Sequence, residues 1–296
     1  CLGISRQSCG EQIMPFDIFA KKKISVLFPT RGRPEMALKS MQSMINTADD
    51  PDGIEFLIAI DDDDQATIDY VQSDIVPYFE EHDYDFYAFV QPRLGYHRLN
   101  EYLNQLVGES HGEWLIVWND DARMESQGWD TEILSHSGKF AVQRFDDNHG
   151  HPYAIFPVIP RDWIVMFECI SPHVITDGWV SQVCYMNNAV IQLKSRCFHD
   201  RHDLTGNNND STYQERKPEQ LEGDPSNPKD FLYLQTAKLR MQWGFKMEWL
   251  RRLLGQDTGY LERVRTGEID IWTKMRENDP KGFLGTWKYT ETESTK

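Results

Sequence analysis

Long apolar runs are absent from this chain of 296 residues, and no window approaches 18 consecutive apolar side chains, which argues against a membrane-spanning helix. Cysteine is scarce. Cys1, Cys9, Cys169, Cys184 and Cys197 make an odd count with no C-x-x-C pair, which speaks against a disulfide framework or a structural zinc site and for a reducing compartment, so a cytoplasmic location is expected. Positive charge is in short supply: 31 Lys plus Arg stand against 47 Asp plus Glu, a formal net charge of −16. Such a surface repels phosphate backbones and anionic lipid, so no nucleic-acid partner is expected. Neither G-x-x-x-x-G-K-[ST] nor G-x-G-x-x-G occurs, which removes the Walker and dinucleotide-binding loops. Residues 1–13 lack the apolar core of a signal peptide, Met14 is the expected start, and no internal repeat is seen.

What the chain does contain is a set of apolar runs that each end in a polar or acidic cluster. Ile24 to Phe28 leads into Pro29-Thr30-Arg31-Gly32-Arg33-Pro34, Phe56 to Ile60 into Asp61-Asp62-Asp63-Asp64, and Trp114 to Trp118 into Asn119-Asp120-Asp121. Runs of this length that do not alternate with polar residues are strands of a sheet covered on both faces. Open α/β sheets bind ligands outside the carboxyl ends of such strands. Several carboxylates gathered there describe a site for a cation and a polyphosphate.

Helical spacing from Met36 to Ile45, over Gln65 to Glu81 and through Leu99, Leu103, Leu106 and Val107 separates the runs, and Phe86 to Val90 reads as a further strand. This β-α-β-α-β-α-β order predicts an α/β fold with a mostly parallel sheet flanked by helices. Beyond Trp129 the pattern loosens. Phe140–Phe145 and Ala154–Ile159 read as strands, Asp177–Asn187 as a helix, and Ala189–Leu193 as another strand. Residues 206–228 are polar and without period, the mark of a loop or lid, and residues 230–254 return to helical spacing, with aromatics expected in the core. The expected organisation is a tail at 1–23, a nucleotide-binding half at 24–130, an acceptor half at 131–205, a flexible segment at 206–228 and a helical extension at 229–296.

Asp120 and Asp121 are the strongest site candidates, one to ligate Mg²⁺ or Mn²⁺ and one to accept from a ribose hydroxyl; otherwise they form a helix cap or a solvated turn. Four adjacent acids at 61–64 repel one another unless solvated, capping or close to a cation. Arg31 and Arg33 are suited to clamp a phosphate, with Gly32 allowing a tight turn and the following helix offering N–H groups. His199 and His202 sit beside the expected lid, where a neutral imidazole can complete a metal shell.

Taken together, these residues resemble the GT-A fold glycosyltransferases, most closely their family 2-like group. Pro29-Thr30-x-x-Arg33-Pro34 is similar to that group's opening P-T-x-x-R-P turn, and Ile60-Asp61-Asp62 to its second-strand I-D-D. Arg98, Asn104 and Gly112-Glu113 follow its R-x5-N and G-E spacing, and Asn119-Asp120-Asp121 stands at its D-x-D position. The matches cover about residues 24–130. The resemblance implies that Thr30, Arg33, Asp62 and Arg98 line the nucleoside pocket, that Asp120 contacts ribose and that Asp121 binds the metal on the diphosphate. It places the catalytic base at Asp177, eleven residues before Asn188, although the chain has Thr176-Asp177 where the family often has Glu-Asp, and Asn188 where Gly is common. A helix N-cap is the other role open to Asp177. The implied reaction is Mn²⁺- or Mg²⁺-dependent sugar transfer from a nucleotide sugar, a UDP-sugar by expectation, to the hydroxyl of a glycan or other acceptor, with inversion. A nucleotidyltransferase is the alternative enzyme, but it would carry a Gly-rich loop where Thr30 to Pro34 stand. A non-catalytic glycan-binding or nucleotide-sugar-binding module would keep the pocket and lose the base.

Overall fold

Each of the three apolar runs is a strand with neighbours on both sides. In the computed structural model, which describes residues 23–207, 214–215 and 236–277, β1 (Ile24–Thr30), β2 (Ile54–Asp61), β3 (Asp85–Gln91) and β4 (Trp114–Val117) pair in parallel in the order β3-β2-β1-β4. Their lack of alternation has a direct cause, since both faces are covered. Val26, Phe28, Phe56, Ile58 and Ile116 pack on one side with Ala37, Met41 and Met44 of α1 (Pro34–Thr47). Leu27, Leu57 and Leu115 pack on the other with Leu103, Leu106 and Val107 of α4 (Leu99–Glu109). The helix expected over 65–81 is α2 (Gln65–Tyr70) and α3 (Val76–Glu81), joined by a π-helical turn at Val71–Ile75.

The sheet continues as β4-β7-β6-β8-β5 and becomes mixed. β7 (Val158–Pro160) is antiparallel to β4 and to β6 (Val142–Asp147), β8 (Val190–His199) is parallel to β6, and β5 (Ala122–Met124) is antiparallel to β8. Between them lie α5 (Trp129–Leu134), α6 (Arg161–Phe167) and α7 (Thr176–Met186), with α8 (His202–Thr205) after β8. Pro157 and Pro160 hold β7 to a short strand, as their sequence positions predict. β8 runs six residues past the expected end at Leu193. The 206–228 segment, apart from residues 206, 207, 214 and 215, and the tail at 1–22 lie outside the described residues.

The C-terminal helices are α9 (Ala237–Leu253), α10 (Tyr260–Arg265) and α11 (Ile271–Glu277). Trp243 of α9 stacks on Phe167 with ring centroids 4.2 Å apart and meets Trp163 and Trp179 edge-on, so this aromatic is core. Trp249, on the same helix, is exposed. Among the described residues the cysteines Cys169, Cys184 and Cys197 are free thiols, and no helix is long and apolar enough to cross a membrane.

At the end of the sheet where β1 and β2 begin, a buried polar knot replaces apolar packing. Ser25 Oγ donates to Glu55 Oε1 (2.6 Å), and the Gly112 N–H donates to Ser25 Oγ (2.7 Å). His111 adds its backbone N–H to the same carboxylate, and Arg161 Nε donates to the Gly112 carbonyl (2.9 Å). Burial pushes the Arg161 guanidinium down to about 10, with the nearby Glu55 charge pulling the other way. Asn104 ties α4 to the loop before α7, accepting from the Ile170 N–H and donating to the Ser171 carbonyl.

Candidate functional site

The turn after β1 is held open by acids of the second strand end. Gly32 adopts φ +68°, a left-handed conformation that glycine takes without strain, and its N–H donates to Asp64 Oδ2 (2.7 Å). Asp64 also accepts from the Thr67 hydroxyl (2.6 Å) and caps α2. This fixes the flanking arginines. Arg31 Nη1 bonds Asp61 Oδ2 (3.0 Å) and its fork also meets Asp63, which holds the Asp63 carboxyl below its ordinary value and the guanidinium above its own. Arg33 Nη2 bonds Asp120 Oδ1 (2.7 Å), and Thr30 Oγ1 donates to Asp120 Oδ2 (2.9 Å).

Asp121 follows directly and meets the far end of the sheet. β5 begins one residue later and pairs Ala122 with His199, while the Asp200 N–H donates to the Asp121 carbonyl (2.7 Å). That ladder sets His199 Nε2 3.2 Å from Asp121 Oδ1, the His199 ring buried and Asp121 partly so. The approach lies outside hydrogen-bond geometry, and Asp121 Oδ1 has no hydrogen-bond partner among the described residues. Burial would raise the Asp121 carboxyl, but His199 and then Arg33 outweigh it and bring it below the ordinary carboxylate range.

A cleft of about 400 Å³ runs between these strand ends and α7. It gathers Thr30, Arg31, Arg33, Asp61, Asp120, Asp121, Asp177 and His199 in one wall-to-wall arrangement. It does not gather Asp62, Arg98 or His202. On β2 the side chains alternate, so Leu57, Ala59 and Asp61 share the cleft-side face and Asp62 turns outward, exposed. Arg98 sits in the turn before α4, where its fork is taken by Glu101 in solvent. His202 Nδ1 meets the Asn207 carbonyl (2.7 Å), in the first turn of α8 and away from Asp121. The expected meeting of Asp62 with Arg98 is therefore replaced by one between Asp61 and Tyr102, whose hydroxyl donates to Asp61 and accepts from the Leu94 N–H. Burial and the Asp61 bond push the Tyr102 phenol up to about 12.

Asp177 lies in the first turn of α7, but the cap position belongs to Ile175, so Asp177 is not the N-cap. It is half-buried and lines the cleft with Thr176 and Tyr153. Tyr153 is fixed by Gln182 Nε2 on its hydroxyl (3.0 Å) and packs against Gly178. The backbone ahead of α7 is shaped by His173, whose Nδ1 accepts from the Ile175 N–H (2.9 Å). Burial, with the Arg240 charge adding to it, pushes the His173 ring down to about 4. The unfolded chain binds a proton at His173 near 6.5 while the folded one does not until about 4. Its contribution to stability is therefore complete above pH 6.5 and lost as pH falls toward 4. His173→Asn, which keeps an acceptor at the δ position and does not titrate, is expected to flatten the melting temperature between those pH values; an unchanged slope would remove His173 as its source.

No family model and no curated protein sequence matches the chain. Solved structures do. The mannosyltransferase PcManGT from Pyrobaculum calidifontis, in complex with GDP-Man and Mn²⁺, superposes with a TM-score of 0.53 at 10% identity, over 95% of this chain and 81% of that one. S. aureus TarS 1–349, in complex with UDP-GlcNAc, superposes with a TM-score of 0.53 at 12% identity, over 92% and 78%. The fold is the GT-A fold.

PcManGT was solved with Mn²⁺, and the residues present here can be tested as donors for a divalent ion. Among the described residues no three His, Cys, Asp or Glu side chains converge tightly enough to hold an ion alone. Two do converge. Neighbouring oxygen or nitrogen donors at about 2.1 Å from one small ion stand about 3 Å apart, close to the 3.2 Å between Asp121 and His199. Mg²⁺-type sites take one or two carboxylates and complete the shell with substrate phosphate and water, so Asp121 fits, with His199 as a nitrogen donor beside it.

Several cleft residues escaped the sequence reading. Tyr102 and Tyr153 stand in no motif that marks them. Arg201 is adjacent to His202 and lines the cleft in its place. Glu215 lines the cleft without any sequence signal and pairs with Arg93, 122 residues away, which lies outside the lining and also meets Asp63 (3.6 Å).

Proposed function

We propose that this chain is a glycosyltransferase of the family 2-like group, transferring a sugar from a nucleoside-diphosphate sugar, in our reading a UDP-sugar, to an acceptor hydroxyl with inversion. The observation that carries the reading is the arrangement of Asp120, Asp121 and His199 at the strand ends with Asp177 on the same cleft, in a GT-A fold. Residues 24–130 hold the donor, and residues 131–205 face the acceptor. Thr30 and Arg33 already orient Asp120 for a ribose hydroxyl. Arg31 and Arg33 keep these carboxylates and turn their remaining N–H groups to the diphosphate oxygens as the donor enters, which fixes the leaving group. Asp61, gripped by Tyr102 and Arg31, presents a rigid acceptor to the nucleoside. Asn119-Asp120-Asp121 serves as the D-x-D element, and Asp121 and His199 would hold Mn²⁺ or Mg²⁺, which supplies charge stabilisation to the leaving diphosphate. Asp177 takes the proton of the acceptor hydroxyl as it attacks from the face opposite the diphosphate. The uncharged wall of Tyr153, Ile155 and Ile175 keeps bulk water from that hydroxyl.

Titration of UDP with and without Mn²⁺ tests the reading. The wild type is expected to bind UDP more tightly with Mn²⁺, and Asp121→Asn to lose that difference while its melting curve stays cooperative. Undiminished Mn²⁺-dependent binding in Asp121→Asn would remove the metal assignment.

A further inference from the structure

α9 has two unlike faces. Arg240, Trp243, Gly244, Met247 and Arg251 recur every three or four residues and are buried. The opposite stripe, Leu239, Gln242, Lys246, Trp249 and Leu253, has the same period and lies in solvent, with Lys238 and Phe245 beside it. Phe245, Trp249 and Leu253 stand one turn apart, so they are neighbours on the helix surface. Trp249 is 58% exposed and Leu253 65%, and exposed Leu254 extends the patch past the helix end. Single apolar residues on a surface are ordinary, but a contiguous apolar patch marks a place of contact.

Charge says what that contact is. The whole chain carries −16, yet residues 236–277 hold nine Lys and Arg against six Asp and Glu. No exposed residue of α9 is acidic. Its one acid, Glu248, is turned to the buried side and pairs with Arg252, which also meets Asp257. A Trp and a Phe among leucines, with lysines whose long stems reach past them, is the composition of a helix that lies in a membrane interface. At physiological ionic strength charges more than about 8 Å apart are largely screened, so the lysines at the contact outweigh acids elsewhere on the chain. A second copy suits the stripe less well. A two-fold contact there would set the same lysines on both sides of one seam, and protein interfaces are depleted in Lys. We propose that this face of α9 docks on a membrane surface that contains anionic lipid. Phe245, Trp249 and Leu253 enter the headgroup region, and Lys238 and Lys246 meet the anionic headgroups. The helix lies on the bilayer and does not cross it, and the inference is independent of the reaction proposed above.

Flotation of the full chain with vesicles tests it, using phosphatidylcholine alone and equal parts phosphatidylcholine and phosphatidylglycerol. The wild type is expected to float with the mixed vesicles, less with phosphatidylcholine alone and less at high salt. Trp249→Ala should lower partitioning at least about tenfold through lost apolar burial. Lys238→Gln and Lys246→Gln should each lower it about fivefold and together remove the preference for phosphatidylglycerol. These side chains are exposed, so melting temperatures should stay at the wild-type value; should Trp249→Ala lower it, Leu253→Ser reads the same face. No flotation of the wild type with mixed vesicles at low salt, or flotation indifferent to these substitutions, would overturn the proposal. A wild type that sediments as a dimer, does not float, and becomes a monomer in Trp249→Ala would give the face to a second copy instead.

Discussion

Asp177→Asn is expected to lower sugar-transfer turnover by about 10²–10⁴-fold, the usual worth of a general base, while leaving Mn²⁺-dependent UDP affinity unchanged. The separation follows from geometry. Asp177 sits on α7, on the cleft wall away from the β1 and β2 turns that we propose hold the nucleotide, and is not the cap of its helix. The amide keeps the shape and loses the proton acceptor. Steady-state turnover together with a UDP titration reads both quantities. A loss under about tenfold would take the base role away from Asp177, and a parallel loss of UDP affinity would make it a donor contact instead.

Gly112→Ala is expected to unfold the chain at much lower urea, at a cost of about 3 kcal/mol or more, with an unchanged slope. A β-carbon there would lie 2.5 Å from the Ser25 nitrogen and 2.7 Å from the Ile24 carbonyl carbon, both backbone atoms of β1. β1 is hydrogen-bonded to β2 and β4 and cannot retreat. The same shift would break the Gly112 N–H bond to Ser25 and with it the support of buried Glu55. A midpoint within about 1 kcal/mol of wild type would show that the loop before β4 can slide. Gly112 belongs to the G-E pair of the family resemblance, and its place in this structure is a close approach of backbones, far from the cleft.

β1, β2 and β4 were readable because burial on both faces leaves an unbroken apolar run, and each leads into an acid or arginine that faces the cleft, while β3 at the edge shows only a short apolar run. β5 was not, since Ala-Arg-Met carries no pattern, yet those three residues bring His199 to Asp121. β8 was cut short for a related reason. Its inward side is Leu193, Ser195, Cys197 and His199, so polar inner residues alternate with Lys194 and Arg196 and imitate a loop. The Ser195 hydroxyl and N–H are taken up by Glu132 of α5, a partner visible only in three dimensions. α5 and α6 are six and seven residues long, too short to display a helical period. In the acid cluster, the two-residue period of β2 distinguishes Asp61 from Asp62. Arg98 went to Glu101 because three residues on a helix bring them together.

β3 carries one further consequence. Among the described residues it is hydrogen-bonded on one side only, with seven residues of strand and exposed Tyr87 and Val90 along it. A strand paired on one side can serve as a template for a second copy of itself. At neutral pH the formal charge of −16 keeps copies at a distance. Near the isoelectric point, about pH 5.0, that mutual repulsion vanishes while the edge is unchanged. Near that pH, self-association through this edge is expected to add to the loss of folding stability in concentrated solutions of this protein.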